Sequence, residues 1–260
     1  MWRGAGPIGL SVAFISGPLT CIALLAMSLQ KHNVPISFRW DLRHQRTLLL
    51  ECKELGLQAA LSAIRERIEQ LLVPKLVGIS TFGYYSAGTI LSDRLAIVPD
   101  GLSTAFYPQI ASAYARSPRE GRRYARRLVA YTLAACIPIA MALSFLAPLI
   151  ARILFPKHAE DCRMVIHMTS FALPFLGASV PMGSALQAIG KHNEAARASM
   201  VAMSVSLGAS VILIARFGVT GACISYILRP TSTAAALLPR FAREFSDTRA
   251  ERLPAVNTAN

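Results

Sequence analysis

The chain has 260 residues, 53% of them hydrophobic, and a mean hydropathy of +0.44, more apolar than a soluble domain of this size. Its net charge is +13 and its pI about 10.1, which in a soluble protein would point to nucleic acid. Here the basic residues lie mostly in short segments between apolar blocks, the pattern of cytoplasmic loops in a membrane protein, so no nucleic-acid partner is expected.

Four stretches, 4–30, 128–151, 164–190 and 198–215, contain no Asp, Glu, Lys or Arg. A helix needs ~20 apolar residues to cross the hydrocarbon core. These stretches are apolar all round, with no charged face opposite an apolar stripe. Helices are expected at about 5–30, 49–77, 82–113, 125–151, 163–190, 194–216 and 218–239, which makes the fold an all-α polytopic bundle of about seven transmembrane helices. The first block begins too near Met1 and runs too long for a cleaved signal peptide. The segment after Pro239 is polar and is expected to fray.

The second helix breaks the apolar rule. Glu51, Glu54, Gln58, Ser62, Arg65 and Glu69 step by three or four and so share one face. A charge at mid-bilayer costs ~3 kcal/mol, so this stripe should face protein, a water-filled cavity, or its own partners, as Arg65 could pair with Glu69. The third helix repeats the pattern more weakly with Ser86, Thr89, Asp93, Asp100, Thr104 and Tyr107, and Arg94 adjoins it. Pro99 and Gly101 predict a kink beside Asp100, and Asp93 could pair privately with Arg94. The basic run SPREGRRYARRL at 117–128 reads either as an interfacial anionic-lipid contact or as an ordinary loop with snorkelling arginines. The fifth helix carries His167, Pro174, Gly177, Pro181 and Gly183 and looks bendable. The last helix holds Arg229 before Pro230 in an otherwise apolar or small-polar segment.

Sixteen Lys and Arg residues flank the helices on one side, against six on the other. The richer side should be cytoplasmic, which puts the C-terminus inside. The five cysteines, Cys21, Cys52, Cys136, Cys162 and Cys223, show no metal-ligand spacing and read as small packing residues. No phosphate loop, nucleophile elbow or HExxH occurs, so no enzyme and no metal are expected.

The segment PKLVGISTFGYYSAGTILSDRLAIVPDGLSTAFYPQIASAYA at 74–115 resembles the polysaccharide flippases, a branch of the superfamily that also holds lipid II flippases and multidrug and toxin extruders. The resemblance rests on Gly83-Tyr84-Tyr85-Ser86-Ala87, the proline bend from Pro99 to Ser103, and Pro108-Gln109-Ile110-Ala111. A tenth-helix pattern also matches as Pro181 followed by Gln187-Ala188-Ile189-Gly190-Lys191. Such flippases have twelve or more helices in two six-helix lobes. The resemblance therefore implies that residues 1–48 are the sixth helix and a basic cytoplasmic linker, 49–239 the second six-helix lobe, and 240–260 a polar cytoplasmic tail. That implies a fragment, a truncated frame, or a half transporter whose partners are a separate first lobe or the polysaccharide polymerase machinery.

The implied activity is flipping of a polyprenyl-pyrophosphate-linked oligosaccharide across the bacterial inner membrane for cell-surface polysaccharide synthesis. Arg65, Arg94 and Arg229 would then face the pyrophosphate, since the arginine fork suits a diphosphate. Glu69, Asp93 and Asp100 would balance charge or carry a coupling proton or sodium ion, with no other cofactor. Two alternatives stand beside this reading: a multidrug extruder lobe of the same superfamily, or a non-transporting assembly protein or pseudogene product.

Overall fold

The computed structural model describes residues 6–31, isolated positions between 53 and 64, and residues 71–245. The chain forms two compact units, residues 1–50 and 51–260. Within the first, α1 (Gly6–Lys31) exposes Ile15, Leu19, Ile22 and Leu25. A helix apolar on all sides with large side chains uncovered is suited to lipid surroundings.

The second unit contains α2 (Ile79–Leu95), α3 (Ile97–Arg116), α4 (Pro118–Leu154), a 3-10 turn (Pro156–His158), α5 (Ala159–Ser170), α6 (Ala172–Ala188) and α7 (His192–Phe245). Residues 71–77 are helical and end at Gly78. The described residues contain helices and no strand, the all-α architecture expected. Three stretches are long and apolar enough to cross a bilayer: Pro118–Leu154, Pro156–Ala188 and His192–Phe245.

Two of the expected helices are broken by one rule. The segment expected at 82–113 divides at Ala96, between α2 and α3, and the segment expected at 163–190 divides at Phe171, between α5 and α6. In each case a proline, Pro99 or Pro174, is the third residue of the new helix. A proline there lacks only an amide that has no partner in a first turn, whereas in a continuous helix it would clash with the carbonyl four residues back. The kink expected at Pro99 and Gly101 therefore appears as a break just N-terminal to them.

The two last expected helices are the arms of α7. Gly218 adopts φ 57°, ψ −127°, a conformation glycine reaches without Cβ strain. A Cβ on Gly221 would run into the Leu213 carbonyl, and Ser232 Oγ donates to the Ala202 carbonyl at 3.4 Å. Both pairs are symmetric about residue 217, so the arms run antiparallel. Each is about 39 Å long at 1.5 Å per residue, enough to span the hydrocarbon core.

Small residues bring the helices close. A Cβ on Gly88 of α2 would lie 2.5 Å from Val165 Cγ1 of α5, and one on Gly121 of α4 would lie 2.7 Å from Tyr114 Cα of α3. Ala125 and Ala185 are buried where α3, α4 and α6 meet, and Ala140, Ala147 and Ala151 where α4 meets α5, as expected where packing rather than hydrophobic exclusion holds helices together. Ser92 Oγ donates to Thr169 Oγ1 at 3.1 Å, joining α2 to α5 through two fully buried hydroxyls. Cys136, Cys162 and Cys223 are buried and Cys21 is exposed; Cys52 lies outside the described residues.

Two expectations need correction. The basic run at 117–128 is not a loop: α4 begins at Pro118, with Ser117 at its N-cap and Glu120 in its first turn. Ser-Pro-Arg-Glu has the spacing of a capping box with proline at the first helical position, although Ser117 makes no side-chain cap bond. Arg122 in this run is only 5% exposed, and its Nε has no partner among the described residues. Nor does the chain fray between Pro239 and Phe245, the last described residue. The second arm of α7 continues to Phe245, with Phe241, Glu244 and Phe245 buried. Phe241 and Phe245 are four apart and stack at 4.6 Å, an apolar pair on one helix face. Arg240 Nη1 donates to the Ala236 carbonyl at 2.8 Å, next to the Ala235 carbonyl that Pro239 leaves without its helical donor.

The Gln187–Lys191 motif explains how that extension is held. Gly190 has φ 79°, its amide bonds the Gln187 carbonyl, and the Lys191 amide bonds the Leu186 carbonyl. These are the two bonds of a Schellman cap on α6. The cap presents Lys191, whose Nζ donates to Glu244 Oε1 at 2.7 Å and lies 3.5 Å from Glu194 Oε1. The hydrogen bond to Glu244 raises Lys191 above the ordinary lysine value. The ammonium's contribution is therefore fully present below the ordinary lysine value and is lost as the pH climbs through the raised folded one. Lys191→Met should lower stability by about 1–3 kcal/mol, since it strips the ammonium from a buried carboxylate. Lys191→Met/Glu244→Leu should recover most of that in thermal unfolding in detergent, and a double variant no better than the single would show that the bridge contributes nothing.

Candidate functional site

The site begins at the α2–α3 break. Asp93 and Arg94 occupy the last turn of α2, and Asp100 lies in the first turn of α3. All three are exposed, as are Thr104 and Tyr107 further along α3, whereas Ser86 is half-buried and Thr89 buried. Thr104 Oγ1 donates to the Asp100 carbonyl at 2.8 Å, which satisfies its hydroxyl without a partner helix. In an otherwise apolar lobe, an uncovered stretch with Asp100, Thr104 and Tyr107 on it must look into protein or water rather than lipid.

The second arm of α7 supplies the opposing groups. The Tyr226 hydroxyl is the donor to Asp93 Oδ1 at 2.7 Å, across 133 positions of sequence. Tyr226 is buried, and a buried phenol requires such a partner. Tyr85 and Arg229 lie within electrostatic reach of the same hydroxyl. Arg229, one turn beyond Tyr226, is half-buried. Its guanidinium forms no ion pair or hydrogen bond among the described residues.

Local backbone chemistry shapes this stretch. Pro230 brings no amide to the Tyr226 carbonyl, so the helix ladder is interrupted beside the site. Thr231 donates to the Ile227 carbonyl at 2.8 Å, and Ser232 and Thr233 both donate to the Arg229 carbonyl at 3.0 Å. These back-bonds consume the hydroxyls locally and favour a bend. They leave the Arg229 guanidinium without a hydroxyl partner from its own arm.

Of the six residues singled out from sequence, the structure gathers Asp93 and Arg229 around Tyr226. Asp93 engages the tyrosine and not Arg94. Among the described residues Arg94 and Asp100 make no ion pair or side-chain hydrogen bond. Arg65 and Glu69, with the whole polar stripe from Glu51 to Glu69, lie outside the described residues. Tyr226 is the residue that sequence reasoning misses. Its signal is its place three residues before Arg229, where two amphipathic side chains in an apolar segment share a face.

Arg229 is thus half-buried without an ion pair among the described residues, near a carboxylate already engaged by a tyrosine, and its guanidinium donors are free among those residues. Desolvation raises the value of each hydrogen bond it can donate.

Residues 7–164 match the family model described as polysaccharide biosynthesis protein. The chain is 20% identical over 195 residues to the capsular polysaccharide biosynthesis protein CapF of Staphylococcus aureus, a match that covers 75% of this chain and 49% of CapF. The chain thus spans about half the length of this curated relative. No solved structure matches it.

Proposed function

Since the chain belongs to the polysaccharide biosynthesis protein family, we propose that it forms one lobe of a membrane transporter that flips polyprenyl-pyrophosphate-linked oligosaccharide. The membrane is the bacterial inner membrane, with the C-terminus cytoplasmic. No covalent chemistry is involved. The lobe works against a second six-helix lobe, supplied by the same polypeptide or by a partner.

The observation that carries this reading is Arg229. A half-buried guanidinium without an ion pair among the described residues, in an arm broken by Pro230, suits a diphosphate that arrives and leaves. A permanent ion pair would have to be broken on every cycle. Arg94 and Arg65 are assigned to the same pyrophosphate. Asp93, Asp100 and Glu69 balance the charge or carry a coupling proton or sodium ion, and the Tyr226–Asp93 bond keeps one carboxylate oriented when substrate is absent.

The test replaces Arg65, Arg94 and Arg229 together with alanine in the producing bacterium, at unchanged membrane abundance. Surface glycan should disappear and lipid-linked oligosaccharide accumulate on the cytoplasmic leaflet. Normal surface glycan would end the proposal.

A further inference from the structure

Away from Asp93 and Arg229, a groove of about 1100 Å³ runs between α4 and the α5–α6 pair. One wall is an α4 face of Ile137, Met141, Ser144, Phe145 and Pro148. The other is Glu160, Arg163, Met164, His167, Phe171 and Pro174, a continuous stripe across the α5–α6 break. Phe145 on its rim is 86% exposed, so the described residues of this unit leave the groove open.

The groove is graded along its length. Its charged end lies at the α4–α5 connection, where α4 ends at Leu154 and a 3-10 turn at Pro156–His158 reverses the chain, as at a membrane surface. Arg163 Nη1 and Glu160 Oε2 stand there 3.3 Å apart, with side chains 53% and 78% exposed. One turn inward, about 6 Å, Ser144 Oγ and His167 Nδ1 share a hydrogen bond of 2.7 Å. Beyond them the walls are almost wholly apolar. From Ile137 to Pro148 the groove is about 16 Å long at 1.5 Å per residue, close to one leaflet of a hydrocarbon core ~30 Å thick.

We propose that this groove is a binding site for a zwitterionic phospholipid with a primary ammonium headgroup, one acyl chain lying along Met141, Phe145 and Phe171. Arg163 takes the phosphate, Glu160 takes the ammonium, and His167 sits at the depth of the glycerol esters. The choice of headgroup follows from the charge pattern. A cation and an anion one turn apart match a phosphate and an amine, whereas an anionic lipid would meet the Glu160 carboxylate without a counter-charge. The Arg163–Glu160 pair does not compete strongly, because an exposed ion pair contributes ~0–1 kcal/mol and exchanges readily for ligand contacts.

Native mass spectrometry on the purified full-length chain in detergent tests this with phosphatidylethanolamine, phosphatidylcholine and phosphatidylglycerol of matched acyl chains. Phosphatidylethanolamine should bind at least tenfold more tightly than either of the others. Glu160→Gln should erase that preference, Arg163→Gln should weaken all three lipids about tenfold, and Met164→Trp, which fills the groove, should weaken them all without changing their order. Free O-phosphoethanolamine should bind at least a hundredfold more weakly than the lipid. Equal affinities for the three lipids in the wild-type chain, a preference for phosphatidylglycerol, or binding of the free headgroup as tight as the lipid would each overturn the proposal.

Discussion

Gly121→Leu should yield almost no folded protein in the membrane, whereas Gly208→Ala should raise stability by about 1 kcal/mol. Both glycines sit inside helices, so replacing either gains the same intrinsic helix propensity, about 1 kcal/mol on going to Ala. They differ in surroundings. Nothing lies within 4 Å of a Cβ placed on Gly208, whereas one on Gly121 meets Cα, Cβ and Cδ2 of Tyr114 at 2.7–2.8 Å. Tyr114 Cα is backbone, so no rotamer change relieves the clash, and α3 and α4 must move apart where Ile110, Ala125 and Leu128 are buried together. Overpacking of this kind costs ~1–3 kcal/mol for small insertions and more for large ones. With three further carbons, leucine should cost more than about 3 kcal/mol, a large fraction of the stability of most domains. Size-exclusion profiles and thermal unfolding in detergent read both variants. A monodisperse Gly121→Leu protein with wild-type unfolding temperature would mean that α3 and α4 do not cross this closely.

Asp93→Ala should abolish export while Tyr226→Phe reduces it only about tenfold, and the double variant should be as inactive as Asp93→Ala alone. The hydrogen bond from the Tyr226 hydroxyl to a carboxylate is of the class worth ~1.5–3 kcal/mol, enough for a tenfold effect through orientation of Asp93. Asp93→Ala removes that bond, leaves a buried hydroxyl without its acceptor at a further ~1–3 kcal/mol, and deletes the charge assigned to substrate balance or ion coupling. The double variant separates two roles. If Asp93 serves only to satisfy Tyr226, removing both groups restores export, because two apolar replacements leave nothing unpaired. If the carboxylate works in the transport cycle, export stays absent although stability returns. Surface-glycan assays and unfolding temperatures together read the two outcomes, and restored export in the double variant would remove Asp93 from the mechanism.

Part of the site is legible in the sequence. Asp93 and Arg229 stand out because charge is costly in an apolar segment, and both lie at the same tyrosine. Pro99 and Pro174 announce breaks in their helices, displaced to the position where a proline fits the first turn of the next helix. The basic run at 117–128 misleads through its charge. Its Ser-Pro-Arg-Glu start is a helix signal, and the high arginine density that suggests a loop is compatible with a helix whose exposed face is basic. The extension to Phe245 is masked by Pro239 and the arginines around it, although Phe241 and Phe245 carry a helical spacing. In each case local charge outweighs periodicity.

The sequence by itself determined that this chain lives in lipid, that it is helical, where its helices bend, and which family it resembles. All four are written in short windows, since hydropathy and proline sterics act over a few residues and a motif is read in place. Only the tertiary structure decided that Asp93 belongs to Tyr226 rather than to its neighbour Arg94, and that Lys191 holds Glu244 across 53 positions. It also decided that Glu160, Arg163 and His167 stand at the polar end of an apolar groove. These pairings join residues far apart in the chain. The bonds of the buried Tyr226 hydroxyl and Glu244 carboxylate are favoured by desolvation, which rewards a partner brought within reach by the packed helices, and no local pattern records that choice.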